Sequence, residues 1–264
     1  MRWIEPDGYA TRAFAGGDPA WMAEPQTAVS TLAQANSALG SRVLSVDMLP
    51  AFLAAAAVEA GDPLDVADAV LSDEAGLANA QAVAKAAEHT LAGQVELVLR
   101  LPSPYALLRR FAENGVFSPS FDDLDDAAML LANAVRGFAD FNFAGLLLAT
   151  DVDEDHAEDE FAALDSVLGT VRHYRWLSLL RLDGDLDPSS SAAADVDVIL
   201  LPHRRPAVFH EDCGLEGRRV GGGLSAEFWE GADFGTVSPD TLYYGDAPAD
   251  IEPEAVLARV RTLP

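Results

Sequence analysis

Long apolar runs alternate with amphipathic stretches along this chain. The strongest strand signals are the runs RVLSVDM (42–48), QVELVLRL (94–101), AGLLLATD (144–151), RWLSLLRLD (175–183), VDVILLP (196–202) and PAVFHED (206–212). Shorter candidates are RRVGGGL (218–224) and FGTVS (234–238). Because the best of these runs are continuously apolar, they predict strands buried on both faces, as in parallel sheets covered by helices.

The segments between these runs have the composition and spacing of helices. Residues 64–91, 122–140, 157–172 and 252–263 are predicted helices, with apolar residues three and four positions apart or acidic residues at the start. In LPSPYALLRRFA (101–112), Ser103 is the predicted N-cap and Pro104 the first helical residue. The sequence therefore predicts a strand-to-helix turn at this point.

The alternation of strands and helices predicts an α/β fold. Seven or eight strands over this length favour a (β/α)8 TIM-type barrel, a single domain over residues 1–264 in which residues 1–40 form an N-terminal extension. A doubly wound sheet is the alternative. No GxGxxG motif follows a strand and no GxxxxGK[ST] motif occurs, which argues against dinucleotide and phosphate-loop binding.

In a barrel of this kind, function is located at the C-terminal ends of the strands. Those ends select a set of polar residues by position alone: Asp47, Ser103, Tyr105, Thr150, Asp151, Asp183, Asp185, His203, Arg204, Arg205, His210, Asp212 and Cys213.

Charge and composition narrow the class of partner. The net charge is −26 and Lys85 is the only lysine, so the electrostatic field repels nucleic acid and anionic membranes. No apolar run of about 18 residues is free of charges, which predicts no membrane span. A single cysteine excludes an internal disulfide and fits a reducing cytoplasm, where we expect the protein to reside. The acidity fits either a GC-rich genome or a high-salt habitat.

Two short motifs resemble those of a known family. The stretch LRLPSPYALLRRF (99–111) is similar to the LPSPYTL segment in the catalytic barrel of cobalamin-independent methionine synthases, and EDCGLEGRR (211–219) resembles the PDCGLKTR segment near the end of that barrel. The C-terminal stretch TVSPDTLYYGDAPADIEPEAVLARVRTL is similar to the ending of the related uroporphyrinogen decarboxylases. The motifs occur in the same order, and the resemblance covers roughly residues 95–263.

The resemblance implies a methyl- or alkyl-transferase acting on a small thiol or a related small molecule. That family binds one zinc through a His-x-Cys pair, a Glu and the Cys of the DCGL segment, and the zinc lowers the pKa of the acceptor thiol. Only the last ligand has a counterpart here, Cys213. The strand that should end in His-x-Cys reads LLRLDGD (179–185), so the zinc site is altered or lost.

The catalytic candidates are Cys213, His210 and Asp183. His210 and Cys213 form an H-x2-C pair that could bind zinc with His203 or an aspartate as a further ligand. The pair could also act as a Cys–His nucleophile. The alternative is a buried, inert thiol beside ordinary loop histidines.

The substrate-binding candidates are Ser103, Tyr105, Asp151, His203 and Arg204. The basic run 203–205 could bind a carboxylate or phosphate, or pair with neighbouring acids. Asp151, like Asp183, follows an apolar strand, which suits either acid–base chemistry or a helix cap. Tyr105 lies where it could contact a substrate or pack against the barrel rim.

Two further functions fit the same residues. One is a metal-independent, decarboxylase- or lyase-like enzyme whose carboxylated substrate binds Arg204 or Arg205. The other is a non-catalytic relative that binds a small molecule or a partner protein. In all three cases we expect a small-molecule ligand or a protein partner, with a homodimer as a further alternative.

Overall fold

The protein is described by a computed structural model, which covers residues 1–56, 60–112, 117–184, 186–205, 215, 218–233 and 241–263. Eight parallel strands form one sheet. They are β1 (Arg2–Glu5), β2 (Val43–Asp47), β3 (Glu96–Pro102), β4 (Gly145–Thr150), β5 (Leu177–Leu182), β6 (Val198–Leu201), β7 (Arg219–Gly223) and β8 (Leu242–Asp246).

Helices connect the strands and cover the outside of the sheet. They are α1 (Asp7–Phe14), α2 (Pro25–Leu39), α3 (Leu49–Ala55), α4 (Pro63–Leu71), α5 (Glu74–Leu91), α6 (Pro104–Phe111), α7 (Phe121–Arg136), α8 (Ala157–Ala163), α9 (Asp165–His173), α10 (Ala226–Glu230) and α11 (Pro253–Val260), with 3-10 turns at Pro19–Ala23 and Pro188–Ala193. Within the described residues, no helix is long and apolar enough to cross a membrane.

The sheet curls into a nearly closed barrel. The strand order is β1-β8-β7-β6-β5-β4-β3-β2, so β1 and β2 are the two ends of the ladder. Side chains join these ends: the backbone N–H of Ile4 donates to Ser41 Oγ at 3.1 Å, and that hydroxyl donates to Val43 O at 2.7 Å. Ser45 on β2 also donates to Glu5 on β1. The predicted (β/α)8 barrel is confirmed.

The barrel interior is divided along its axis. Its lower part, at the N-terminal ends of the strands, is an apolar cluster of Trp3, Val43, Val98, Leu147, Leu179, Val198, Leu200 and Tyr244, with Leu242 packed against it. Its upper part, at the C-terminal ends, carries charged side chains. A separate, larger apolar cluster lies between the outer face of the barrel and the helices.

Several local predictions agree with the structure, and two are corrected. Residues 1–40 are not an extension outside the barrel, because Arg2–Glu5 pair with β8 as its first strand. The predicted helix 64–91 is two helices, since Asp73 accepts a hydrogen bond from Gly76 N and caps a new one. The strand candidates PAVFHED (206–212) and FGTVS (234–238) lie outside the described residues.

A candidate ligand site at the barrel mouth

Two arginines occupy the interior of the barrel near its C-terminal end, called the mouth below. Arg181 on β5 is 8% exposed and binds both carboxylate oxygens of Asp246, at 2.8 and 2.6 Å. Its Nε donates to Asp183 Oδ1 at 2.7 Å, and its Nη1 donates to the Tyr244 hydroxyl at 3.1 Å. Burial opposes the charge, but these partners raise the pKa of Arg181 well above its usual value, so it is a permanent cation.

Arg100 on β3 is the second buried cation. It donates to Asp47 Oδ2 at 3.1 Å and to Asp7, and it lies 3.6 Å from Glu5 Oε2. Burial disfavours its charge, but the carboxylates of Asp7, Asp47 and Glu5 raise the pKa of Arg100 well above normal. The guanidinium therefore ties together the ends of β1 and β2 and the start of α1.

Glu5 and Tyr244 join the two arginines into one network. The Tyr244 hydroxyl donates to Glu5 Oε1 at 3.3 Å while it accepts from Arg181. Burial is the largest cause that raises the pKa of Glu5 and of Tyr244, both completely buried. The network contains two guanidinium groups and more carboxylates than they can neutralise: Glu5, Asp7, Asp47, Asp183 and Asp246. A ligand with a cationic group would reduce this excess of negative charge.

A cavity of about 470 Å³ opens above this network. Its charged lining residues are of both signs: Asp47, Asp151 and Asp183, and Arg100, Arg109 and Arg110. Arg109 on α6 donates to Asp151 Oδ2 at 2.8 Å across the opening, and both side chains are almost half exposed. The volume is within the range of small-molecule sites, roughly 300–1,000 Å³.

Glu160 on α8 lies behind the cavity wall and is completely buried. Its carboxylate accepts the Tyr105 backbone N–H at 3.0 Å and the Thr150 hydroxyl at 3.4 Å. Burial raises the pKa of Glu160 to about 7, although hydrogen bonds from Ser103, Tyr105 and Thr150 oppose the increase. Glu160 therefore holds together the ends of β3 and β4, which form one wall of the cavity.

His203 follows β6 and lies at the edge of the mouth. Its Nε2 is 3.5 Å from Asp183 Oδ1, and this contact is the largest cause that raises the pKa of His203. Burial would raise the pKa of Asp183, but His203 and Arg181 outweigh it and lower that pKa. With Arg204, His203 lines a second, smaller cavity of about 140 Å³. The pair suits proton transfer, since an imidazole can accept a proton and the neighbouring carboxylate stabilises the imidazolium that forms.

The sequence candidates are distributed unequally around this site. Asp151 and Asp183 line the main cavity, whereas His203 and Arg204 line the smaller one. Ser103 does not line the main cavity: it is completely buried, and its hydroxyl caps α6 by accepting from Ala106 N at 3.3 Å.

Three candidates remain. Tyr105 is 4% exposed and its hydroxyl donates to Asp153 Oδ2 at 3.2 Å, so it packs behind the wall. His210 and Cys213 lie outside the described residues. The structure therefore does not bear on the proposed His–Cys pair.

The two buried arginines and Glu160 were not predicted from the sequence. Arg100 and Arg181 each interrupt an apolar run, in LVLRLP and LSLLRLD. A charged residue inside a strand that is otherwise buried needs partners, which is the signal that could have identified both. Glu160 had no comparable signal, because it stands in an acidic stretch whose composition is typical of a solvated surface.

The described residues do not by themselves fit a zinc ion. No group of three or more His, Cys, Asp or Glu side chains in the described part of the chain could hold a metal. Asp183 and His203 approach each other, but Asp183 is bound to Arg181, and two residues are fewer than the three protein ligands that a zinc site needs.

Comparisons with known proteins show similarity at the level of the fold. No protein-family model matches the sequence, and no curated protein sequence matches it. Among solved structures, a B12-independent methionine synthase from Shewanella sp. W3-18-1, in complex with selenomethionine, superposes with a TM-score of 0.57 at 10% identity. The match covers 89% of this chain and 84% of the other. At this identity it establishes the shared barrel fold alone.

Proposed function

We propose that the barrel mouth binds a small zwitterion of the amino-acid type and that the protein transfers a methyl or alkyl group to or from its sulfur. The observation that carries the proposal is the pairing of exposed guanidinium and carboxylate groups around one cavity of about 470 Å³. The solved methionine synthase barrel, which has a similar fold, binds selenomethionine. That ligand is a zwitterion of the same class.

Each ligand group has a matching residue in this arrangement. Arg109 and Arg110 are placed to bind the carboxylate, since a guanidinium can donate two parallel hydrogen bonds to it. Asp47 at the end of β2 and Asp183 after β5 would accept an ammonium group. Arg109 must exchange part of its contact with Asp151 for the ligand, which makes Asp151 a third acceptor for the ammonium group.

His203 and Asp183 would move the proton of an acceptor thiol. In this proposal the neutral imidazole takes the proton from sulfur, the thiolate attacks the methyl carbon of the donor, and the donor leaves with the bonding electron pair. The Asp183 carboxylate stabilises the imidazolium that results. The His210–Cys213 pair remains a proposal for a metal or a nucleophile, and no step here passes through it.

Binding of matched analogues tests the ligand class. Calorimetric titrations would compare methionine with its des-amino analogue 4-(methylthio)butanoate and its decarboxylated analogue 3-(methylthio)propylamine. We expect methionine to bind at least about tenfold more tightly than either analogue, which corresponds to about 1.4 kcal/mol. Arg109→Ala should abolish the advantage over the amine, whereas Arg172→Ala, which removes an exposed arginine paired with Asp195, should leave it unchanged.

Transfer itself is tested by mass spectrometry of homocysteine supplied with a panel of methyl donors. We expect His203→Gln to lower the rate of S-methylation with little change in thiol affinity. Tighter binding of dicarboxylates than of any zwitterion would refute the proposal and favour the decarboxylase- or lyase-like alternative. Absence of any binding at the mouth would favour a non-catalytic relative.

A further inference from the structure

The opposite end of the barrel contains a further cavity, separate from the two at the mouth. It measures about 550 Å³ and lies at the N-terminal ends of the strands, called the base below. Its lining comprises Met1, Trp3, Val43, Glu96, Val98, Ala144, Gly145, Leu177, Leu179, Val198, Arg219, Val220 and Leu242. Among the described residues, none lines both this cavity and the one at the mouth, so the two are treated as separate sites.

The base cavity is apolar because valine and leucine side chains make up most of its described lining. In barrels of this type, layers of branched side chains usually fill the interior. Here Val43, Val98 and Val198 point inward in the same way, and a cavity remains at the strand ends beside Gly145. Trp3 contributes the large aromatic ring of the described lining and is 2% exposed. An apolar cavity of this size is within the range that holds a small ligand.

Two charged residues lie at the rim of the base cavity, and they determine where a charged group of a ligand could lie. Arg219 opens β7 and is exposed, and no described carboxylate pairs with it. Glu96 opens β3 on the other side of the barrel, where it repels an anionic group. A ligand with an apolar body and one anionic head would therefore place the head at Arg219. Arg219 therefore combines two features that are unusual in a chain of net charge −26. It borders an apolar cavity, and it has no carboxylate partner among the described residues.

We propose that the base of the barrel is a second small-molecule site, which binds a compact apolar anion such as an aromatic carboxylate or a short-chain fatty acid. The apolar body enters between Val98, Leu179 and Val198, and burial of its surface supplies most of the affinity. The anionic head contacts Arg219 at the rim. This site is independent of the function proposed for the mouth.

Two fluorescent probes of matched size test the site in the intact protein. 1-Anilinonaphthalene-8-sulfonate carries an anionic head, whereas N-phenyl-1-naphthylamine has a similar apolar body and no charge. We expect both probes to bind with increased emission. Val198→Phe, which fills the cavity, should weaken both at least tenfold, and Arg219→Ala should weaken only the anionic probe, by about tenfold.

Control variants separate this site from other apolar surfaces. Arg109→Ala at the mouth should change neither probe. If Val198→Phe fails to fold, Val43→Ile adds a single methyl group to the same lining and should weaken both probes by a smaller factor. Retention of full binding in a folded filling variant would overturn the proposal. It would also be overturned if sedimentation shows a dimer that Leu177→Asp dissociates, because a second copy would then occupy the base.

Discussion

Replacing Glu160 by Gln tests the role of its buried carboxylate in the wall of the mouth. The carboxylate is completely buried and accepts hydrogen bonds from Tyr105 N and the Thr150 hydroxyl. Gln keeps the size and the acceptor oxygen of the side chain but cannot ionise. The variant therefore removes the titration of Glu160 while it keeps the packing of α8 against the ends of β3 and β4.

The expected magnitude comes from the two pKa values of Glu160. In the unfolded chain its pKa is 4.5, and in the folded protein burial raises it to about 7. Because the folded state holds this proton more tightly, the contribution of Glu160 to stability is fully present below pH 4.5 and is lost as the pH rises through 7. A difference of about 2.5 between the pKa values corresponds to roughly 3 kcal/mol.

Urea unfolding at a series of pH values between 4.5 and 8 measures this effect. We expect the difference in unfolding free energy between the native protein and Glu160→Gln to change by roughly 3 kcal/mol across this range, with Gln relatively more favourable at high pH. Glu5 and His203 also have raised pKa values, but they titrate in both proteins and cancel in the difference. Glu158→Gln, on the exposed face of the same helix, should follow the native curve. Parallel curves for the native protein and Glu160→Gln would refute this reasoning.

Three further predictions concern the barrel and the surface. Arg181→Met should lower the unfolding free energy by about 3–5 kcal/mol in urea titrations, because it leaves the carboxylates of Asp183 and Asp246 without their buried cation. Gly145→Ala should cost about 1–3 kcal/mol in the same assay, since the added Cβ would lie 2.6 Å from Leu177 O and 2.8 Å from Leu179 Cδ1; an unchanged midpoint would contradict the packing. Raising KCl from 0.1 to 2 M should increase the melting temperature, because salt screens the repulsion within a chain of net charge −26.

The strands buried on both faces were predictable from the sequence because their signal is local. β2, β4, β5 and β6 lie within the predicted apolar runs, β3 extends one residue beyond its run, and the Ser103–Pro104 cap marks the start of α6 as expected. β1 was missed because RWIE is four residues long and contains two charges. It is a strand only because β8 pairs with it, which is a contact between residues about 240 positions apart.

The site was less predictable than the fold because its members are distant in sequence. Position at strand ends selected Asp47, Asp151 and Asp183, which line the main cavity. Arg100 and Arg181 could not be found in this way, because both lie within a strand and not after it. Nor could spacing show that Ser103 is buried beside Glu160, because that contact depends on how α8 packs.

The division of the barrel interior explains why one end suits a charged ligand and the other an apolar one. Tyr244 stands at the boundary: its hydroxyl bonds Glu5 and Arg181 above, and its ring packs edge-on against Trp3 below, with 5.2 Å between centroids. The Arg181 guanidinium also lies 5.7 Å from the centre of that ring. The buried charges are thus satisfied on one side of this layer and excluded from the other. A Tyr244→Phe substitution would leave the ring layer intact while it removes the hydroxyl from the network, so it should destabilise the mouth and leave probe binding at the base unchanged.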